Sequence, residues 1–303
     1  MLKRIFCLAL CMAFMLGALV QQVTALDESD SALIAVDAVA EQPDVPATEE
    51  TEVPVEEEVV PTGPCILLDD ATVIDTAPVL YEGTTYVALR AVSQALRPDA
   101  VITWEGDHAA VTAEGLSITV YPFARYIVAN GRCLYLPHGV QLVDGTTLVP
   151  IRALAAAFDA QVNWDAETGN VTLIRGTGTI CPAEQYYNAD DLYWLSHIIN
   201  AESGNQPLEG KIAVGNVVLN RVNNPIFPNT IYDVVFQKNQ FSPVRNGSIN
   251  LEPNEESIVA AKLCLDGAMI LPNAYWFNGA GVPCWASSHK ECITVIGNHA
   301  FYG

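Results

Sequence analysis

A ten-residue stretch of this chain is written twice, and the two copies restrict its fold more than any other feature. Glu82-Gly83-Thr84-Thr85-Tyr86-Val87-Ala88-Leu89-Arg90-Ala91 returns 62 residues later as Asp144-Gly145-Thr146-Thr147-Leu148-Val149-Pro150-Ile151-Arg152-Ala153. Each copy leads into a short helical stretch, residues 91–96 and 153–158, and then into an alternating strand that holds Trp104 or Trp164. A turn and a closing strand follow, with Val111-Thr112 matching Val171-Thr172. A unit of strand, helix, strand, strand is too thin to bury its own apolar face, so the two copies are expected to cover one another. The spacing predicts a small β-rich module over residues 63–177. Arg90 and Arg152 occupy equivalent places, and a structural pairing at the strand-to-helix junction is the simpler expectation for both.

The flanks read differently. Lys3 and Arg4, an apolar run over residues 5–20 and the small-residue end Val23-Thr24-Ala25 form the pattern of a secretory signal over residues 1–25, with cleavage after Ala25. The run is shorter than the roughly 20 residues of a bilayer span, so no stable membrane span is expected after cleavage. Residues 26–62 are acidic and rich in proline, with twelve acids and no base up to Pro61, which predicts an extended tether. The formal net charge is -21 and no Lys/Arg cluster exists to displace counterions from phosphates, which excludes nucleic acid as a partner. Beyond the signal stand Cys65, Cys133, Cys181, Cys264, Cys284 and Cys292. In an exported protein an even number permits disulfides, and the expected bridge joins the closest pair, Cys284 and Cys292. No metal site and no cofactor are expected. His108 and His138 lack ligand spacing and read as turn residues, and His197 has no His four positions on. The β-rich first half, followed over residues 183–303 by a segment that opens on a helix, predicts a two-domain α+β protein.

The chemistry concentrates where the second half begins. Asn188 followed by Asp191 reads as a helix start. At about 100° per residue, Glu202 falls inside the apolar stripe of Leu192, Leu195, Ile198 and Ile199. Gly204 offers the left-handed position that ends a helix, which puts this carboxyl in the last turn. Partial burial and the negative end of the helix dipole both disfavour its charge, so its pKa is expected above the usual value. A glutamate that keeps its proton near neutral pH is what cleavage of a glycosidic bond needs, because the departing oxygen leaves poorly until protonated. A side chain that reaches solvent, or pairs with Lys211, fits the same spacing.

Around it runs an ordered series: Ile198-Ile199-Asn200-Ala201-Glu202-Ser203-Gly204-Asn205-Gln206-Pro207, then Val217-Val218-Leu219-Asn220-Arg221-Val222, Phe227-Pro228-Asn229-Thr230, Gln240-Phe241-Ser242-Pro243 and Ile296-Gly297-Asn298-His299-Ala300-Phe301-Tyr302. This series resembles the SleB-type spore-cortex-lytic cell wall hydrolase family over nearly all of residues 188–303. The duplicated Gly-Thr-Thr strand, with its following Arg and later Trp, resembles the copper amine oxidase N-terminal-like stalk domain of bacterial surface proteins. The first resemblance implies a helix-rich, lysozyme-like domain with a short terminal sheet, acting on peptidoglycan glycan strands, with Glu202 as the catalytic acid. Many relatives carry a second acid where this chain has Gln206, which leaves Glu209 and Asp233 as possible partners and favours a one-carboxylate mechanism. That mechanism is lytic transglycosylation between N-acetylmuramic acid and N-acetylglucosamine. A hydrolytic muramidase, an N-acetylmuramoyl-L-alanine amidase and a non-catalytic wall-binding module are the alternatives.

Sugar chemistry then suggests substrate-binding residues. Gln240 and Asn278 offer amides to N-acetyl groups, while Phe241, Tyr275 and Trp276 offer ring faces. Asn216 and Asn220, four apart on an apolar helix, either line the groove or bond backbone. His299 and Tyr302 are expected as groove walls. The expected location is secreted, at the cell wall or spore, and the stalk is expected to meet other cell-surface components.

Overall fold

The duplicated segments become neighbours in space. The computed structural model describes residues 63–69 and 72–303; the expected signal and tether lie outside the described residues. Strands β1 (Ile66–Leu68), β2 (Thr72–Ile74), β3 (Val79–Tyr81) and β4 (Thr84–Ala88) lead into helix α1 (Leu89–Leu96). An antiparallel meander follows: β5 (Val101–Glu105), β6 (His108–Ala113), β7 (Leu116–Val120), β8 (Tyr126–Ala129) and β9 (Arg132–Tyr135). The second copy supplies β10 (Gln141–Val143), β11 (Thr146–Pro150), α2 (Ile151–Ala157), β12 (Gln161–Trp164) and β13 (Val171–Ile174). Strands β4 and β11, the two copies of the repeat, pair antiparallel with Val87 opposite Val149. Their preceding turns place Gly83 and Gly145 at φ 71° and 75°, a region that residues with a Cβ rarely occupy. The module closes on itself because β1 pairs in parallel with β13, Ile66 opposite Val171. The copies thus share one core, built from Val87, Val92, Val111, Ile118, Leu154, Phe158 and Leu173.

The second half is helical: α3 (Ala183–Tyr186), α4 (Ala189–Ser203), α5 (Leu208–Val222), α6 (Ile231–Val235), α7 (Ser242–Asn246) and α8 (Glu255–Leu265). A three-stranded sheet ends it, formed by β14 (Trp276–Gly279), β15 (Cys292–Ile296) and β16 (His299–Tyr302), with α9 (Trp285–His289) between the first two. The α+β architecture expected from the sequence is the one observed. Helices α4, α5 and α8 pack on one another around Leu195, Ile198, Val214, Val217 and Leu263. Helices α5 and α8 approach closely at Gly215, where an added Cβ would lie 2.6 Å from the Cys264 sulfur.

The β-rich half is not a loosely hung stalk. Cys133 belongs to the helical core, and Tyr126, Val128 and Tyr135 pack against it. Arg132 Nε donates to Asp266 Oδ1 at 2.9 Å, the other Asp266 oxygen accepts from Tyr187, and the guanidinium lies over the Tyr186 ring. The two charged side chains are 12% and 2% exposed, so removal of either would strand a buried charge. Lys262 Nζ also donates to Gly131 O at 2.9 Å, and Arg125 Nε donates to Glu209 Oε1 at 3.0 Å.

Several expectations need correction. All six described cysteines are free. Cys284 is not bridged to Cys292: its sulfur accepts the Ser287 N–H that starts α9, and the Cys292 thiol lies 3.8 Å from Thr294 O. Arg90 and Arg152 are exposed and make no ion pair among the described residues, so the expected junction pairing does not form. His108 opens strand β6 rather than a turn, with its ring 4.7 Å from that of Tyr121.

Candidate active site

Helix α4 carries Glu202 into a half-buried position without giving it a partner. Asn188 caps the helix, accepting from Asp190 N and Asp191 N at 2.9 and 3.1 Å, and the two acidic residues suit the positive end of the dipole. The inward side buries Leu195, Ile198 and Ile199, and the same periodicity turns Glu202 toward the protein in the last turn. Gly204 ends the helix differently from expectation: its φ is -56°, not left-handed. Glycine stands there because a Cβ would lie 2.6 Å from Asn200 O. Asn254, the cap of α8, donates to Gly204 O at 3.1 Å and so satisfies a carbonyl at the helix end.

The carboxyl of Glu202 has no hydrogen-bond or ion-pair partner among the described residues, and burial pushes its pKa up to about 7. Lys211 does not pair with it. That ammonium is 1% exposed, donates to Gln206 O at 2.7 Å and pairs with Glu256 of α8. The other named carboxylates are also engaged. Glu209 meets Arg125, and Asp233 accepts the Thr230 hydroxyl at 2.7 Å at the start of α6.

Four residues beyond Glu202, Gln206 is buried, and its Oε1 accepts Asn298 N–H at 2.8 Å. This bond fastens the turn before β16, and with it His299, to the loop that leaves α4. His299 is half-buried, burial holds its pKa below the usual imidazole value, and its Nδ1 has no partner. Its ring stands 5.4 Å from that of Phe277, which lies 6.4 Å from Phe241. The Phe241 ring in turn sits 5.3 Å from the Arg221 guanidinium. Arg221 is 4% exposed, donates through Nε to Tyr275 O at 2.8 Å, and leaves Nη1 unpartnered; burial lowers its pKa to about 10. Gln237 Oε1 is likewise buried and unpartnered. Buried polar atoms without partners are uncommon, and among the described residues Ser93, Arg221, Gln237 and His299 carry them. Sequence reasoning missed Arg221 and Gln237. A basic residue in the last turn of a helix gives no outward sign that it is buried.

The expected sugar contacts divide. Gln240 is exposed on the loop before α7. Trp276 is half-buried, with its ring 5.8 Å from that of Trp285 and the Lys290 ammonium 4.4 Å from its centre. Asn216 is not a groove residue: it is fully buried, donates to Ala268 O at 2.7 Å and accepts from Ile270 N at 2.8 Å. Asn220 is spent in the same way, donating to Leu271 O and Ala274 O at 2.8 and 3.0 Å. Phe241 and Tyr302 are each 6% exposed, so neither presents a free ring face. Asn278 donates to Val282 O at 3.1 Å and holds its own turn. Among the described residues no group of three His, Cys, Asp or Glu is placed to hold a metal ion, and the β-rich half does not offer copper a fitting donor set.

Residues 205–302 match the Cell Wall Hydrolase family, a segment that opens three residues after Glu202, and residues 67–173 match the copper amine oxidase N-terminal domain. The spore cortex-lytic enzyme of Oceanobacillus iheyensis is 32% identical over 145 residues, 47% of this chain and 52% of that protein. The spore cortex-lytic enzyme of Bacillus cereus is 34% identical over 117 residues, 38% of this chain and 45% of that protein. The chain therefore spans about half the length of these curated relatives. The crystal structure of the catalytic domain of the Bacillus cereus SleB protein is 30% identical, with 39% of this chain and 92% of that one covered at a TM-score of 0.37.

Proposed function

From the match of residues 205–302 to the Cell Wall Hydrolase family, we propose that the chain cleaves the glycan strands of peptidoglycan between N-acetylmuramic acid and N-acetylglucosamine. The observation that carries this reading is Glu202: a half-buried carboxyl, free of any cation among the described residues, whose pKa of about 7 lets it arrive at the substrate with its proton. Glu202 gives that proton to the oxygen leaving C1 of the muramic residue. The resulting carboxylate takes the proton of the muramic C6 hydroxyl as its oxygen bonds to C1. The glycosidic bond breaks, a 1,6-anhydro ring forms, no water is consumed, and the acid is restored. A second carboxylate is not needed, which agrees with the engagement of Glu209 by Arg125 and of Asp233 by Thr230.

Gln240 offers the substrate an exposed amide, and the half-buried His299 stands beside the turn that Gln206 ties to the loop leaving α4. Such a substrate sets the place of action outside the membrane, at the wall or, as the names of the relatives suggest, at the spore. The test is turbidity loss of purified peptidoglycan. Glu202→Gln is expected to lower the rate by about 10²–10⁴-fold, the usual contribution of a general acid. Lysis at the wild-type rate by this variant would remove the proposal.

A further inference from the structure

A cavity of about 530 Å³ opens in the β-rich half, a size typical of ligand sites. Pro64, Pro78, Leu80 and Thr84 line it together with Arg152 and Trp164, and no residue of the helical half contributes. The repeat provides an internal control. Trp104 and Trp164 hold equivalent places in the two copies, and so do Arg90 and Arg152. The Trp104 indole N–H is spent on Gly106 O at 2.7 Å, whereas that of Trp164 meets no acceptor among the described residues. The difference comes from the turns. Strands β5 and β6 are joined by Gly106 and Asp107 alone, while six residues, 165–170, join β12 and β13. In that longer turn Gly169 lies against Pro64, where an added Cβ would be 3.3 Å from its ring. Both rings are exposed, Trp104 at 53% and Trp164 at 60%, but only Trp164 keeps its indole N–H free among the described residues and borders this cavity.

The groove's chemistry selects its ligand. Trp164 is 60% exposed and Leu80 75%, so a flat apolar face waits for a partner of the same shape. Arg152, exposed and unpaired among the described residues, presents a planar fork suited to a carboxylate. The indole N–H and the Thr84 hydroxyl add bonds for hydroxyl or amide oxygens. A pyranose ring bearing a carboxylate satisfies all of these at once. We propose that this cavity is a second saccharide site, which holds a muramic sugar whose lactyl carboxylate is free of its stem peptide, while Glu202 works on the same strand class; the choice of a muramic sugar rests on the function proposed above.

The five tryptophans make the test local. Trp104 and Trp164 report on the β-rich half, and Trp194, Trp276 and Trp285 on the helical half. The full chain carrying Glu202→Gln is titrated with a soluble glycan of alternating N-acetylglucosamine and N-acetylmuramic acid, and the indole N–H signals are followed by NMR. The Trp164 signal, assigned by its loss in Trp164→Phe, is expected to shift while that of Trp104 stays. Arg152→Gln is expected to weaken the Trp164 response about tenfold for the muramic glycan and to leave it unchanged for a neutral chitooligosaccharide. A Trp164 signal that stays fixed at saturating glycan, with Trp276 or Trp285 moving, overturns this inference and spares the catalytic proposal. Movement of Trp164 alone, with no cleavage by the wild type, supports this site and removes the catalytic proposal instead. An equal response of Trp104 and Trp164, or docking of a proline-rich peptide in place of the glycan, also overturns it.

Discussion

Glu202→Gln should stabilise the protein at alkaline pH and leave it unchanged in acid. The folded chain holds the Glu202 pKa near about 7, against an ordinary value of 4.5, through burial. Between those two values the folded state binds the proton more tightly than the unfolded state does. The stability due to that proton is complete below about pH 4.5 and is lost as the pH rises through about 7. A shift of this size corresponds to about 3 kcal/mol, and the partial exposure of the carboxyl trims it to about 2 kcal/mol. Glutamine keeps the shape without the charge, so the variant escapes the penalty. Thermal unfolding followed from pH 4 to pH 8 should show matching midpoints at pH 4 and a variant melting about 4–8 °C higher at pH 8, given roughly 2–4 °C per kcal/mol for a body of this size. A constant offset across the whole range, or a variant less stable at pH 8, would refute the argument that burial alone sets this proton.

Three further outcomes follow from the geometry. The wild-type cleavage rate should fall about tenfold per pH unit above pH 7, since only the protonated Glu202 can donate, and a flat profile to pH 9 on a charge-free substrate contradicts this. Asp266→Ala should cost about 3–5 kcal/mol by urea unfolding, because it leaves Arg132 as an uncompensated charge between the two halves; a loss under 1 kcal/mol would mean that the pair is not buried in solution. Asn216→Ala should destabilise by about 3 kcal/mol by leaving the backbone of residues 268, 270 and 271 unsatisfied, with glycan affinity per folded molecule unchanged. A weaker affinity at full stability would return Asn216 to the groove.

What the chain revealed by inspection was what repeats or oscillates. The copies at Gly83 and Gly145 disclosed one module, and the 3.6-residue period placed Glu202 on the inward side of α4 with its charge disfavoured. What stayed hidden depends on contacts between distant segments. No local pattern announces that β1 pairs in parallel with β13 a hundred residues on, or that Arg132 finds Asp266 across the two halves. Asn216 and Asn220 form a polar strip on an apolar helix, and only the course of residues 268–274 over that strip decides that backbone rather than sugar occupies it. Gly204 looked like a left-handed cap, yet steric room beside Asn200 explains it. The cysteine pair failed for a related reason: proximity in sequence fixes neither the direction of a sulfur nor its competing partners, and Cys284 is used at the start of α9.

The most direct measurement is the mass of the fragments that the wild-type chain releases from purified peptidoglycan in water enriched in oxygen-18. If Glu202 works alone with the muramic C6 hydroxyl, the new ends are 1,6-anhydro sugars, lighter by one water than reducing ends and free of the heavy isotope. Reducing ends that carry oxygen-18 would mean that water is the nucleophile and that a second base, still to be located, assists Glu202.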